Sequence, residues 1–321
     1  MRIGLITAEP GHPLLAAATA LLTPRHRVEA VDPGAWDGAP DEPDSFGALA
    51  DVYLLKARTP RALGLARYLE QRGAPVLNAA GATELCQDRT AMAALALRAG
   101  MPFARTRTVS ALARLSAEEL AYPVVIKSRH SRRHDLVARV DDAAGLRALR
   151  AVWPDEPVVV QRFTENSGWD HKLWVIEDRL FAAVRRSELA DPGRGPALSL
   201  GPGELPEGWA RLALEAGSVF GLRVYGVDVI DAGGGKPLIV DINAFPGVRG
   251  QAGAPEALAE LGGGAAGRGG EGWGRGHALP RPQHRRGGGA PPGGGPGGAA
   301  RAAAPPPRDG GRLSGPGPGD H

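Results

Sequence analysis

Residues 224–250, VYGVDVIDAGGGKPLIVDINAFPGVRG, constrain this chain more than any other stretch. Val227, Val229 and Ile230 form one apolar run, and Leu238, Ile239, Val240 and Ile242 form a second. Gly233, Gly234 and Gly235 lie between them and supply the positive φ values that a tight turn requires, so the pattern predicts a β-hairpin. Asp228 interrupts the first strand. Asp241 and Asn243 stand two apart in the second and share one face of the sheet. A lone carboxylate against an apolar core would cost several kcal/mol, roughly, so three oxygen-bearing side chains converging there call for a cation. Oxygen donors without His or Cys suit Mg²⁺, which takes one or two carboxylates and completes its shell with phosphate oxygens.

Upstream of the hairpin, two kinds of pattern follow one another. Within residues 1–80, apolar strands at 2–7, 28–31, 51–56 and 76–77 alternate with helical segments at 13–22 and 60–72. That alternation predicts a parallel sheet with helices on both faces. No Gly-x-Gly-x-x-Gly follows the first strand, so the dinucleotide fingerprint is lacking. A helix is predicted over 83–100, with Thr83 as its N-cap and Asp88-Arg89 inside it. Residues 122–140 read as strand–loop–strand. Lys127 ends the first strand, and the loop holds Arg129, His130, Arg132, Arg133 and His134. Such positive density predicts either an anionic partner, with Lys127 as a point charge and the arginines as forks, or a solvated basic loop. A helix over 143–152 precedes a strand ending in Gln161-Arg162-Phe163. An antiparallel meander then carries Asp170, Lys172, Arg185 and Arg186, and a helix over 208–220 leads into the hairpin.

Composition matters chiefly at the C-terminus. Residues 262–321 contain no Ile, Val, Phe, Met or Tyr and hold nearly half of the chain's 47 glycines. The segment is expected to be a disordered tail, either a basic interaction tail or the product of a frameshift in a GC-rich gene that has cost the domain its last helix. Its arginines carry the chain's positive charge, and residues 1–261 are slightly acidic, so the folded part is not expected to bind nucleic acid. One cysteine, no signal pattern and no membrane-length apolar run predict a cytoplasmic protein without a membrane partner.

Taken in order, Lys127, Gln161-Arg-Phe163, Asp170-His-Lys172-Leu-Trp-Val, Gly226-Val-Asp228 and Asp241-Ile-Asn243-Ala-Phe-Pro246-Gly247 resemble the ATP-grasp superfamily. The resemblance spans about residues 78–250. It implies an α/β and α+β chain: a parallel pre-ATP-grasp domain over 1–80, an ATP-grasp domain over 81–261, and the tail over 262–321. The ATP-grasp domain would divide into a small subdomain at about 105–160 and a large one at about 161–261, with ATP clamped between them. By this resemblance Lys127 contacts the ATP phosphates, and Gln161 and Phe163 line the adenine site. Arg89, His134 and Arg162 join the nucleotide-binding set. Asp228, Asp241 and Asn243 hold one or two Mg²⁺ ions, which Mn²⁺ replaces at need. Lys172 with Arg185 or Arg186 approaches the transferred phosphoryl group or the acceptor. Most of the superfamily joins a carboxylate to an amine through an acyl phosphate, and the RimK-like ribosomal-protein glutamate ligases and peptide ligases are the nearest of these. The expected partners are a small-molecule or peptide carboxylate and an amine donor. A smaller branch, the inositol polyphosphate kinases, phosphorylates a hydroxyl. The glycine-free loop with Arg132, Arg133 and His134 resembles that branch and would suit a polyanionic polyol. A third reading is a nucleotide-binding protein without catalysis.

Overall fold

The computed structural model describes residues 1–36, 48–190, 195–201 and 203–267. These form three sheets and seven α-helices. The first sheet is parallel: β1 (Arg2–Ile6), β2 (Arg27–Val31), β3 (Val52–Leu55) and β4 (Val76–Leu77) stand in the order β2-β1-β3-β4. Helix α1 (Pro13–Leu22) packs on the face that carries Ile3, Leu5, Val52 and Leu54. Helix α2 (Pro60–Gln71) packs on the opposite face with Ile6, Tyr53 and Leu55. Gly4 lies under the Tyr53 ring, where a Cβ would approach the ring carbons to 2.5 Å or less. The predicted alternation of strands and helices is therefore observed, with helices on both faces.

The predicted single helix over 83–100 is instead two. Helix α3 (Ala80–Leu85) ends before Asp88, and α4 (Arg89–Arg98) begins after it. Asp88 Oδ1 accepts from the Thr90 and Ala91 N–H groups at 2.9 and 3.4 Å, so Asp88 is the N-cap and Thr83 is a buried residue of α3. A carboxylate that satisfies two orphan donors stops the incoming chain and starts a new helix.

The second sheet is antiparallel. It contains β5 (Thr106–Val109), β6 (Val124–Ser128), β7 (Val137–Val140) and β8 (Val158–Arg162) in the order β5-β8-β6-β7, with α5 (Ala143–Val152) between β7 and β8. The third sheet, also antiparallel, contains β9 (Trp169–Ile176), β10 (Arg179–Arg186), β11 (Leu198–Leu200), β12 (Val224–Asp231) and β13 (Pro237–Ala244) in the order β11-β10-β9-β12-β13. Helix α6 (Trp209–Phe220) and α4 cover one of its faces through Trp209, Leu212, Phe220, Met92 and Ala96. The other face is divided: Ile176 and Val224 share the core of α7 and the first sheet, while Lys172, Asp228 and Asp241 line a cleft with residues of the second sheet.

The final helix, α7 (Ala254–Gly267), runs past the change of composition at Gly262. Its Ala257, Leu258, Leu261 and Ala265 share a core with Leu14, Leu15 and Leu22 of α1 and Ile3 of β1. Packing on the first sheet overrides the poor helix propensity of the glycines. Helix α7 thus extends past 262, where the tail was expected to begin, as far as Gly267. Residues 268–321 lie outside the described residues. Among the described residues, no helix is long and apolar enough to cross a membrane.

Asn78 joins the first sheet to the third. Its Nδ2 donates to the Val224 carbonyl at 2.6 Å, and its Oδ1 accepts from the Arg223 and Val224 N–H groups at 2.8 and 3.0 Å. The side chain is 1% exposed, so water does not replace these bonds when it is removed. Asn78→Ala is expected to lower the unfolding free energy by about 3 kcal/mol, because buried backbone groups at the start of β12 lose their partners. Urea denaturation measures this; a loss below about 0.5 kcal/mol would show that the junction is hydrated.

Candidate functional site

The polar face of the third sheet is arranged by strand register. Asp228 of β12 stands directly opposite Asp241 of β13 on one side and Lys172 of β9 on the other. Asn243 lies two residues beyond Asp241 and faces the same cleft. Gly233, Gly234 and Gly235 adopt φ of 110°, 65° and 77°, as the predicted turn requires. The register shifts between Asp228 and Val229: Asp228 pairs with Asp241, Val229 pairs with Ile239, and Val240 is left without an opposite residue. This β-bulge turns both Val240 and Asp241 toward the cleft while Ile239 and Ile242 stay in the core.

Cations from the neighbouring elements meet these groups. Lys172 Nζ donates to Asp228 Oδ2 at 2.6 Å. Burial pushes the Lys172 pKa down, but the Asp228 and Asp170 carboxylates together outweigh it and the net shift is upward. Arg89, 6% exposed, donates through Nη2 to Asp241 Oδ2 at 3.2 Å. Through Nη1 it donates to Asp135 Oδ2 at 2.7 Å and to the Ser128 carbonyl at 2.8 Å. Lys127, at 7% exposure, donates to the carbonyl of the bulged Val240 at 2.9 Å. Burial lowers the Lys127 pKa, and the Asp241 charge opposes that shift without cancelling it.

A cavity of about 320 Å³ lies over this row. The structure brings Arg89, Lys127, Gln161, Arg162, Phe163, Lys172, Arg185, Asp228, Asp241 and Asn243 together around it. Gln161 is buried, and its Nε2 donates to Thr106 Oγ1 at 3.0 Å. The Arg139 guanidinium lies 4.0 Å from the Phe163 ring centroid. Two expected members are elsewhere. Arg186 follows Arg185 on a strand and so points the opposite way, with its guanidinium 4.9 Å from the Trp169 ring centroid. His134 is exposed in the left-handed region at φ 59° and does not line the cavity.

In the basic loop before His134, two of the three arginines meet carboxylates of the protein itself. Arg129 forks onto Asp88 at 2.6 and 3.1 Å, and Arg132 forks onto Glu156 at 2.7 Å through both amino groups. Asp170, Asp135, Asn166, Ser187 and Arg58 line the cavity as well, and none of them had been assigned a role from the sequence. Burial raises the Asp170 pKa, opposed by Lys172 and reinforced by Asp228. Its period-two spacing from Lys172 within one strand was the available signal.

Two carboxylates on adjacent strands and one amide oxygen form a donor set that fits Mg²⁺ as an open site. Among the described residues, no group of three or more His, Cys, Asp or Glu stands together as a metal site. Substrate oxygens and water would therefore complete the shell, as is usual for this ion.

Residues 88–254, just over half of the chain, match the family described as RimK-like ATP-grasp domain. A probable alpha-L-glutamate ligase of Legionella pneumophila (strain Corby) is 28% identical over 200 residues, which cover 57% of this chain and 64% of the relative. Across the first curated relatives, the chain spans from 24% to 64% of their length. Among solved structures, a RimK domain ATP-grasp protein from Sphaerobacter thermophilus superposes with a TM-score of 0.67 at 22% identity, over 81% of this chain and 99% of that one. The ATP-grasp ligase PsnB, complexed with minimal precursor, Mg and ADP, superposes with a TM-score of 0.58 at 17% identity, over 83% of this chain and 98% of that one. The shared architecture and the matched family both rest on the sheets that build the cleft, and the chain belongs to the RimK-like ATP-grasp family.

Proposed function

We propose that this chain is an ATP- and Mg²⁺-dependent ligase that joins a carboxylate to an amine through an acyl phosphate. The observation that carries the reading is the row Lys172–Asp228–Asp241–Arg89 beneath a cavity that Lys127 also enters. Two carboxylates stand side by side there, each within hydrogen-bond distance of a basic side chain. Phosphoryl transfer needs this arrangement, because it depends on positioning and on neutralising phosphate charge more than on covalent help. In this reading Asp228, Asp241 and Asn243 hold Mg²⁺, with Mn²⁺ able to substitute. The ion, when bound, neutralises charge on the phosphate oxygens and holds them in place. Lys127 leaves the Val240 carbonyl for a phosphate. Gln161, Arg162 and Phe163 line the nucleotide end, and Lys172 and Arg185 face the transferred group. The carboxylate oxygen attacks the terminal phosphorus and ADP departs. The amine then attacks the acyl carbon, loses a proton, and releases inorganic phosphate.

The relatives support the ligase outcome: a probable alpha-L-glutamate ligase by name, and a solved ligase complexed with a precursor, Mg and ADP. The hydroxyl-kinase reading rested on the loop 128–135, and the forks of Arg129 and Arg132 onto Asp88 and Glu156 account for much of that loop's charge without a polyanion. We read residues 1–80 as the pre-ATP-grasp domain and 81–261 as the ATP-grasp domain, with α7 closing the core of the former. We place the protein in the cytoplasm, where ATP is abundant and the buried Cys86 thiol stays reduced.

Phosphorus NMR on the full chain with Mg-ATP, amino acids, short peptides and inositol phosphates tests the reading. ADP and free phosphate are expected only when a carboxylate and an amine are both present; a stable phosphate-ester resonance would replace the ligase by a kinase. Asp241→Asn is expected to lower kcat at least about a hundredfold with little change in thermal stability, since it deletes a charge that acts on the transferred group. Full activity in that variant would sink the assignment of the hairpin. Lys127→Met is expected to weaken ATP binding roughly tenfold, about 1.4 kcal/mol, as read by titration calorimetry with a non-hydrolysable analogue.

A further inference from the structure

The loop 129–136 between β6 and β7 is cinched at its neck and pinned along its length. At the neck, the Ser128 N–H donates to the Leu136 carbonyl at 2.8 Å, and Ser128 Oγ accepts from the Leu136 N–H at 3.0 Å. Ser128 is fully buried. Further out, the Ser131 N–H donates to the Gln87 carbonyl at 2.8 Å, and the Arg129 carbonyl accepts from the Arg89 N–H at 2.9 Å. Arg129 and Arg132 hold Asp88 and Glu156. Asp135, the residue before Leu136, is thereby fixed in place by a loop that contains no glycine. Its side chain is 14% exposed and lines the cleft.

Arg89 joins this neck to the third sheet, and its two amino groups serve different walls of the cleft. Nη1 donates to the Ser128 carbonyl at 2.8 Å and to Asp135 Oδ2 at 2.7 Å, both at the neck of the loop. Nη2 crosses to Asp241 Oδ2 of β13 at 3.2 Å. The remaining donor, Nε, is buried and has no hydrogen-bond partner among the described residues. Three acceptors therefore compensate the whole guanidinium, and only two of them carry charge. A guanidinium at 6% exposure cannot turn to water when one carboxylate is withdrawn, so the other must hold it.

A divalent ion held by Asp228, Asp241 and Asn243 competes with Arg89 for Asp241. With Asp135 in place the competition is mild, because Arg89 keeps one carboxylate through Nη1 when Nη2 lets go of Asp241. Without the Asp135 charge, Asp241 is the one carboxylate left to Arg89, and the ion has to strand a buried cation to enter. We infer that Asp135 is a positioning residue: it holds Arg89 through Nη1 while Nη2 exchanges Asp241 for a phosphate oxygen, and it thereby couples the neck of the loop to the metal-holding acid. The coupling is reciprocal. An ion on Asp241 turns Arg89 wholly toward the loop, and a loop that holds Arg89 eases entry of the ion. The role of Asp135 rests on the reading of the cleft as a Mg²⁺–nucleotide site; the shared guanidinium rests on the geometry alone.

Titration calorimetry of the full chain with a non-hydrolysable ATP analogue, once with Mg²⁺ and once with EDTA, gives two affinities. Their ratio is the contribution of the metal, and binding of Mg²⁺ to the free analogue cancels when two proteins are compared. Asp135→Asn keeps the shape of the side chain and removes its charge. It is expected to lower the ratio roughly tenfold, through weaker binding in the presence of Mg²⁺. Asp135→Glu should restore most of the ratio, and Asp135→Ser is the second variant should the first fail to fold. In an Arg89→Gln background, Asp135→Asn should leave the ratio where Arg89→Gln alone puts it, since no guanidinium remains to be held. Amide hydrogen exchange gives a second readout. With the analogue bound, Mg²⁺ should slow exchange at Ser128 and Leu136 in the unaltered chain, and that difference should vanish in Asp135→Asn. An unchanged ratio in the folded variants, a loss that persists without Arg89, or an equal metal effect on the two amides would overturn the role of Asp135 and leave the cleft a metal–nucleotide site. An unaltered chain whose affinity for the analogue does not depend on Mg²⁺ would overturn that reading of the cleft and the role of Asp135 with it.

Discussion

Two carboxylates directly opposite each other on paired strands repel, and Asp228 and Asp241 are so placed. Their pairing is tolerable because each carboxylate is met by a cation from outside the hairpin. Lys172 reaches Asp228 from β9, and Arg89 reaches Asp241 from the first residue of α4. This charge row organises much of the surrounding structure. Arg89 also holds Asp135 and the Ser128 carbonyl, so the second sheet is tied to the third through one guanidinium. Lys127 is drawn in by the bulge at Val240, whose carbonyl has no residue opposite it. Removing a single cation would strand a partly buried carboxylate, a larger penalty than the net worth of the pair. A divalent ion placed between the two acids would supply the same compensation and release Lys172 and Arg89 toward phosphate oxygens. The free protein and the proposed loaded one are two ways of neutralising one pair of acids.

The hairpin was legible because its turn needs glycine and because Asp241 and Asn243 fall on one face in any unbroken strand. The bulge was not. Leu238-Ile239-Val240 is apolar throughout, so the sequence contains no mark of where the alternation slips. Arg185 and Arg186 pose the same problem: period two guarantees that one of them faces the cleft without saying which. Arg89 was visible only as a charge beside Asp88, because its partners Asp135 and Asp241 lie 46 and 152 residues away. The pairing of the basic loop was hidden for a related reason. Glu156 and Asp88, which absorb Arg132 and Arg129, lie outside the loop, and a local count of charge cannot see them. Element order and sheet type follow from local pattern and were accessible; charge balance is a tertiary property and was not.

The C-terminal helix shows where composition misleads in the other direction. Glycines at 262–264 read as the onset of a tail, yet α7 continues through them because its stripe of Ala257, Leu258, Leu261 and Ala265 lies against α1 and β1. This packing has a consequence for the site. The loop Phe245–Pro246–Gly247 leaves β13 after Ala244, one residue beyond Asn243, and lines a cavity with Thr7, His12 and Lys56, and α7 follows it onto the first sheet. The strand that carries Asp241 and Asn243, the loop beside His12 and the covering helix are thus consecutive in the chain. Helix α1, on which α7 rests, contributes His12 at its own N-terminus. A shift of α7 against α1 would change the distance between His12 and Gly247 and, through the same short loop, the position of Asn243. The cleft over Asp241 and the cavity beside His12 are thus bordered by one short loop, and the core of α1 and α7 lies behind it.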